Sequence, residues 1–290
     1  MKTTAFIDTT ATSTSGKLSK LNEYACPTDV KAQPGCYLLP DHHTLEAEAL
    51  GAITFSTGEG HNSYVSNPLY HSLSEAAQGL FGFLRTSPDP SSDVSPLDSP
   101  RIRECLAKAG RLVSEGEYVV YEVSGPLSVL NCLLDTDALM RSFKRESQLL
   151  DSVLTAIRAS LVLYIRRIVA SGVKHISIAD PICSVYTIGP KAKENYIRSH
   201  LLPLLQEIKE TSEGEFLLHL CPKLFLDLER SGLCRAKYIK VPGRTSFGRA
   251  YELALGRTDL VGQECIKRTA EYVSDGSLKS LIIPNAESER

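Results

Sequence analysis

Apolar positions along this chain alternate between two periods, and the alternation predicts its elements. Tyr118–Val123 reads YVVYEV, a β-rich run closed by the breaker Ser124-Gly125-Pro126. From Asp137 to Ala170 the period becomes helical. Leu150, Leu154, Ile157, Leu161, Tyr164, Ile165 and Ile168 recur at helical spacing, and Gly172 supplies a stop. The length of that stretch predicts two helices. His175–Ala179 (HISIA) returns to strand, a loop covers 180–189, and Pro190 stands where a first helical residue belongs. Ile197, Leu201, Leu204, Leu205 and Ile208 give the helix that follows its apolar face. Further on, strands are predicted at Phe216–Leu220, Tyr238–Val241, Asp259–Val261 and Leu281–Ile283. Helices are predicted at Pro222–Arg230 (stopped by Gly232), Phe247–Leu255 (closed by Gly256) and Gln263–Val273.

Strands that alternate with helices through short turns imply parallel β-α-β units. The expected fold is α/β, a (β/α)8 TIM barrel formed as a single domain over residues 1–290, with ends that depart from a full barrel. Eight strands require two of three early candidates, Ala5–Asp8, Cys36–Leu39 and Ile53–Phe55. The structural alternative is a doubly wound open sheet, although no Gly-rich phosphate turn follows any strand. Thr86–Pro100 (TSPDPSSDVSPLDSP) carries prolines and aspartates with no basic residue, which reads as an extended surface loop. No helix is predicted to cover the last strand, so a second copy of the chain, a homodimer, is expected to shield it.

Composition narrows the function classes. A net charge of -2 supplies no field for nucleic acid and no polybasic membrane anchor. Arg166 and Arg167 interrupt the most apolar stretch, so no membrane span is expected. The first residues, MKTTAFIDTTATSTSGKLSK, do not read as a secretory signal. Eight scattered cysteines without a C-x-x-C pair fit reduced thiols in the cytosol.

In parallel barrels the chemistry gathers at the C-terminal ends of strands. Those ends are Glu122 and Ser124, Asp180 and Cys183, His219 and Cys221, and Gln263 and Glu264. His219-Leu220-Cys221 is the strongest pair, because alternate residues share one face of a strand and His and Cys are both zinc ligands. The same pair also reads as a buried, hydrogen-bonded His beside an apolar Cys. Asp180, before Pro181, reads as a base, a ligand-orienting group or a loop cap. Glu46 and Glu48 read as a solvated helical face. His42-His43 is too closely spaced for a metal pair on a helix.

Taken in order, LEAEALGA (45–52), NPLY (67–70), VSGPLSVL (123–130), ISIADPICS (176–184), IGPKAKENYIRSHLLPLLQEI (188–208), LLHLCP (217–222), DLVGQ (259–263) and LIIP (281–284) resemble the uroporphyrinogen decarboxylase superfamily. The nearer branch is that of its cobalamin-dependent (corrinoid) methyltransferases. The resemblance implies an axial cleft and transfer of a methyl group between a corrinoid, free or protein-bound, and a thiol or similar acceptor. It also implies a zinc that activates the thiol.

His219 and Cys221 match the first two zinc ligands of that branch. The branch places its third, a Cys, in a Gly-Cys pair after the last strand, where this chain reads Pro284-Asn285-Ala286. Cys265 is the substitute, with Cys183 and Glu48 as further candidates. Asp180, Ser124 and Gln263 are expected to line the cleft and hold the corrinoid or acceptor, with Asp180 as the catalytic group. The decarboxylase branch uses an arginine-rich N-terminal segment to grip tetrapyrrole carboxylates, and here no Arg precedes Arg85. Two other readings remain: a non-catalytic relative that binds a corrinoid, a tetrapyrrole or a partner, and a decarboxylase of a smaller acid.

Overall fold

The computed structural model describes residues 36–39, 54–55, 64–65, 70–86, 100–145, 147–183, 188–211, 216–273 and 275–285. The candidates Ala5–Asp8, His42-His43, Glu46, Glu48 and the interior of the Pro/Asp-rich segment lie outside the described residues.

The main sheet contains β1 (Cys36–Leu39), β4 (Tyr118–Ser124), β5 (His175–Ala179), β6 (Leu217–Leu220), β7 (Arg235–Lys240), β8 (Leu260–Val261) and β9 (Ser277–Ile282). Its order is β1-β4-β5-β6-β8-β9-β7. The first five are mutually parallel, as the β-α-β alternation predicts. β9 is not: it runs antiparallel to both β8 and β7, which leaves β7 in the same direction as the first five. Apolar runs report that a segment is a strand but not its direction. Among the described residues the sheet is an open run with β1 and β7 at its edges, and β2 (Thr54–Phe55) pairs with β3 (Tyr64–Val65) apart from it.

Helices cover one face of the sheet: α1 (Leu73–Thr86), α2 (Pro100–Ser114), α3 (Pro126–Leu133), α4 (Thr136–Arg145) and α5 (Ser147–Ala170), then α6 (Pro190–Tyr196), a π turn over Ile197–Leu201, α7 (Leu202–Thr211) and α8 (Pro222–Arg230). Val119, Tyr121 and Val123 of β4, Ile176 and Ile178 of β5, and Leu218 and Leu220 of β6 pack against them. The period-2 alternation sends the remaining strand positions to the other face. There Val120, Leu217, Val261, Ile239 and Leu278 surround α9 (Phe247–Ala254), and Cys36 and Leu38 of the edge strand β1 pack against the same cluster. Tyr251 of α9 is fully buried there, and its hydroxyl donates to the carbonyls of Leu217 (2.9 Å) and Ile176 (3.3 Å).

The predicted helix over Gln263–Val273 is instead a single 3-10 turn, Ile266–Arg268. The segment's carbonyls serve α9. Phe247 N–H donates to Glu271 O at 2.6 Å and Gly248 N–H to Thr269 O at 2.9 Å, while Val273 N–H donates to Thr245 O at 2.9 Å. Carbonyls committed to a neighbouring helix start are not free for a helix of their own.

Candidate functional site

The predicted residues lie at the ends of β4, β5, β6 and β8, and Asp180 and His219 fall on opposite faces of the sheet. Asp180 follows β5 on the helix-covered side and is 1% exposed. Its Oδ1 accepts from Ser128 N–H at 2.7 Å and from Ser128 Oγ at 2.5 Å. Its Oδ2 accepts from Leu127 N–H at 3.2 Å and from the Tyr196 hydroxyl. Leu127 and Ser128 open α3, whose own N-cap, Gly125, makes no side-chain cap. Asp180 therefore caps that helix from the neighbouring strand, where a carboxylate also meets the positive end of the helix dipole. Burial pushes the Asp180 carboxyl up from the usual carboxylate range, while Ser128, Tyr196 and the two backbone N–H groups pull it down.

Gly125 makes this approach possible. A Cβ there would stand 2.5 Å from Asp180 Oδ2 and 2.6 Å from Asp180 Cβ. Gly125 N–H donates to Ala179 O at 2.8 Å, so the β4–α3 turn is stitched to the β5 end. Ser124 sits in that stitch, in register with Ala179. The structure thus brings the predicted Asp180 and Ser124 to one strand-end junction.

His219 occupies the other face. Glu122, Ser177 and His219 are consecutive partners in one register row across β4, β5 and β6. The backbone carbonyl of Glu264 can only accept, so His219 Nε2–H donates to it at 2.8 Å. Nδ1 then accepts from the Ser177 hydroxyl at 2.9 Å. The ring is 1% exposed and lies 6.0 Å from each of the Phe247 and Tyr251 rings. Burial lowers its pKa to about 4, against the Glu264 carbonyl, which raises it, so the imidazole is neutral at neutral pH.

Cys221 stands at the N-cap position of α8, and its N–H donates to Ile178 O at 3.1 Å. Gln263 Oε1 accepts from Lys279 N–H at 2.9 Å, which ties the segment after β8 to β9. Cys265 precedes the 3-10 turn. Burial raises the Cys183 thiol well above its usual range. Among the described residues no three His, Cys, Asp or Glu side chains come together to hold a metal ion. The donor set as arranged, with both His219 nitrogens in hydrogen bonds, does not fit the zinc that the resemblance implies.

Sequence reading did not single out Ser177, Ser128 or Tyr196, and it read Gly125 only as part of a strand-ending breaker. Ser177 was within reach, because it alternates with His175 on the strand beside His219. Tyr196 and Ser128 come from later and earlier helices, and only the folded chain brings them to Asp180.

Parallel strands alternating with helices, with polar groups gathered at the strand ends, define an α/β protein built on a largely parallel sheet. The family model for uroporphyrinogen decarboxylase (URO-D) matches residues 36–263, and the chain belongs to that family. A curated relative, the methylcobamide:CoM methyltransferase MtaA of Methanosarcina barkeri, is 21% identical over 226 residues. That match covers 77% of this chain and 62% of the relative, so the chain spans under two thirds of the relative's length. It supports the resemblance to the corrinoid methyltransferase branch. A solved methyltransferase from Methanosarcina mazei superposes with a TM-score of 0.48 at 22% identity, over 66% of this chain and 52% of that one.

Proposed function

We propose that this chain is a methyltransferase of the uroporphyrinogen decarboxylase family, acting on a methylated corrinoid and passing the methyl group to a thiol or related acceptor. Membership of the family, together with a relative that is a methylcobamide:CoM methyltransferase, carries the reading. In such a transfer the acceptor sulfur forms the new bond to carbon, and the carbon–cobalt bond breaks with its electron pair left on cobalt. The thiol proton leaves to solvent or a base.

The residues of this chain enter by positioning. Asp180 fixes the start of α3 and, through Gly125, the turn that carries Ser124 at the end of β4. That turn opens at the C-terminal end of the parallel strands, where barrel enzymes bind substrate. Both edge strands contribute to the cluster around α9, Cys36 and Leu38 from β1 and Ile239 from β7. This supports closure of the sheet into a barrel. The described cysteines are thiols rather than disulfides, which fits a reduced, cytosolic setting.

Anaerobic incubation with methylcobalamin and a thiol tests the reading. Loss of the methylcobalamin spectrum with formation of the methyl thioether supports it. A second reading, a relative that binds a corrinoid without turnover, is favoured by the fully engaged His219. A saturable spectral shift with no thioether would establish that reading and overturn the first.

A further inference from the structure

A catalytic zinc takes three protein donors, each with a lone pair directed at the metal, and keeps a further position open to substrate. His219 meets neither condition. Its Nε2 carries a proton given to Glu264 O, and its Nδ1 lone pair receives the Ser177 hydroxyl. Phe247 and Tyr251 lie beside the ring, and the residue is 1% exposed, so the ring is not open to a reacting thiol from solvent. Metal binding at Nε2 would also strip the Glu264 carbonyl of this donor.

The segment that His219 holds is fixed from two other sides. Gln263 Oε1 takes the Lys279 N–H. Gly262 packs so tightly that a Cβ would fall 2.6 Å from Leu220 O and 2.7 Å from Phe225 Cβ. Three successive residues after β8 are thus locked to β6, α8 and β9, and the lock includes the residue before Cys265.

We propose that His219 is not a zinc ligand in this chain but a hydrogen-bonded strut, which with Ser177 fastens the segment Gly262–Cys265 over the ends of β5 and β6. The inference does not depend on the methyl-transfer reading. It assigns the His-x-Cys strand end a positioning task, and any thiol activation falls to groups other than His219.

The test uses the full chain, purified without a metal-affinity step, incubated with zinc, desalted and analysed for metal. Wild type, Ser177→Ala, His219→Ala and the double variant are compared, with melting temperatures measured with and without EDTA. Background zinc in the wild type and a melting temperature indifferent to EDTA are expected. Each single variant should melt lower by roughly 2–4 °C, and the double variant by less than the sum, because the two share one bond. Near-stoichiometric zinc in the wild type that is lost in His219→Ala overturns the proposal, as does additivity in the double variant. If His219→Ala does not fold, the wild-type zinc content and the EDTA response decide alone. Methyl transfer that persists in EDTA upholds both conclusions. Transfer abolished by EDTA and restored by zinc in the wild type, but not restored by zinc in folded His219→Ala, overturns this inference while leaving the methyltransferase reading standing.

Discussion

Asp180 shows how a residue that reads as chemistry is recruited by the backbone around it. Four donors converge on its carboxylate, two of them the orphan N–H groups of a helix start. Asp180→Ala leaves those donors buried without this acceptor. A loss of about 3 kcal/mol or more in unfolding free energy is expected, read from urea denaturation midpoints. Gly125→Ala forces a methyl group onto the same carboxylate and should cost about 1–3 kcal/mol by the same measurement.

Two buried histidines, His175 and His219, contribute to the pH dependence. Burial takes His175 to about 4, with Lys174 adding to the effect, and takes His219 to about 4. The unfolded chain, with histidines near 6.5, binds more protons between those values. Stability should therefore fall as pH drops from about 6.5 to about 4 and level off below, by up to about 3 kcal/mol per histidine. Thermal melts across that range check this, and a flat profile would mean that the rings are charged in the fold.

At the scale of elements, local pattern and tertiary demand divide the outcome. β5 and α8 have the bounds that the sequence predicts, His175–Ala179 and Pro222–Arg230, because an apolar run and a Pro-to-Gly frame mark them locally. β7 begins at Arg235 rather than Tyr238, since an edge strand with exposed Arg235, Ala236 and Lys237 carries no apolar alternation to read. The stretch after Gln263 looks helical by spacing, yet its carbonyls are claimed by α9. No local pattern encodes that claim.

The end of the sheet is held by another long-range tie. Lys209 of α7 donates to Asp259 Oδ2 at 3.0 Å and to Ile283 O at 3.0 Å, and Asp259 accepts from Ile283 N–H at 3.0 Å. Lys209→Met should cost roughly 1 kcal/mol and raise hydrogen exchange at the Ile283 amide while leaving β5 amides protected.

For the whole molecule, the ordered motifs pointed to the family that the family model also matches, over residues 36–263. The candidate site was legible in part. The strand ends were found, because apolar runs stop at Ser124, Asp180 and Cys221. Which face each side chain takes depends on register and helix placement, and so Asp180 lies among helices while His219 lies beneath α9.

The central claim is transfer of a methyl group from a corrinoid, and methylcobalamin carrying an isotopically labelled methyl group tests it most directly. The full chain is incubated anaerobically with this donor and an excess of thiol, and the products are analysed by mass spectrometry. The account predicts a labelled methyl thioether that accumulates in proportion to protein and is much reduced in Asp180→Ala protein that remains folded. Intact donor at the end of the incubation, with no labelled thioether above the protein-free control, would contradict it.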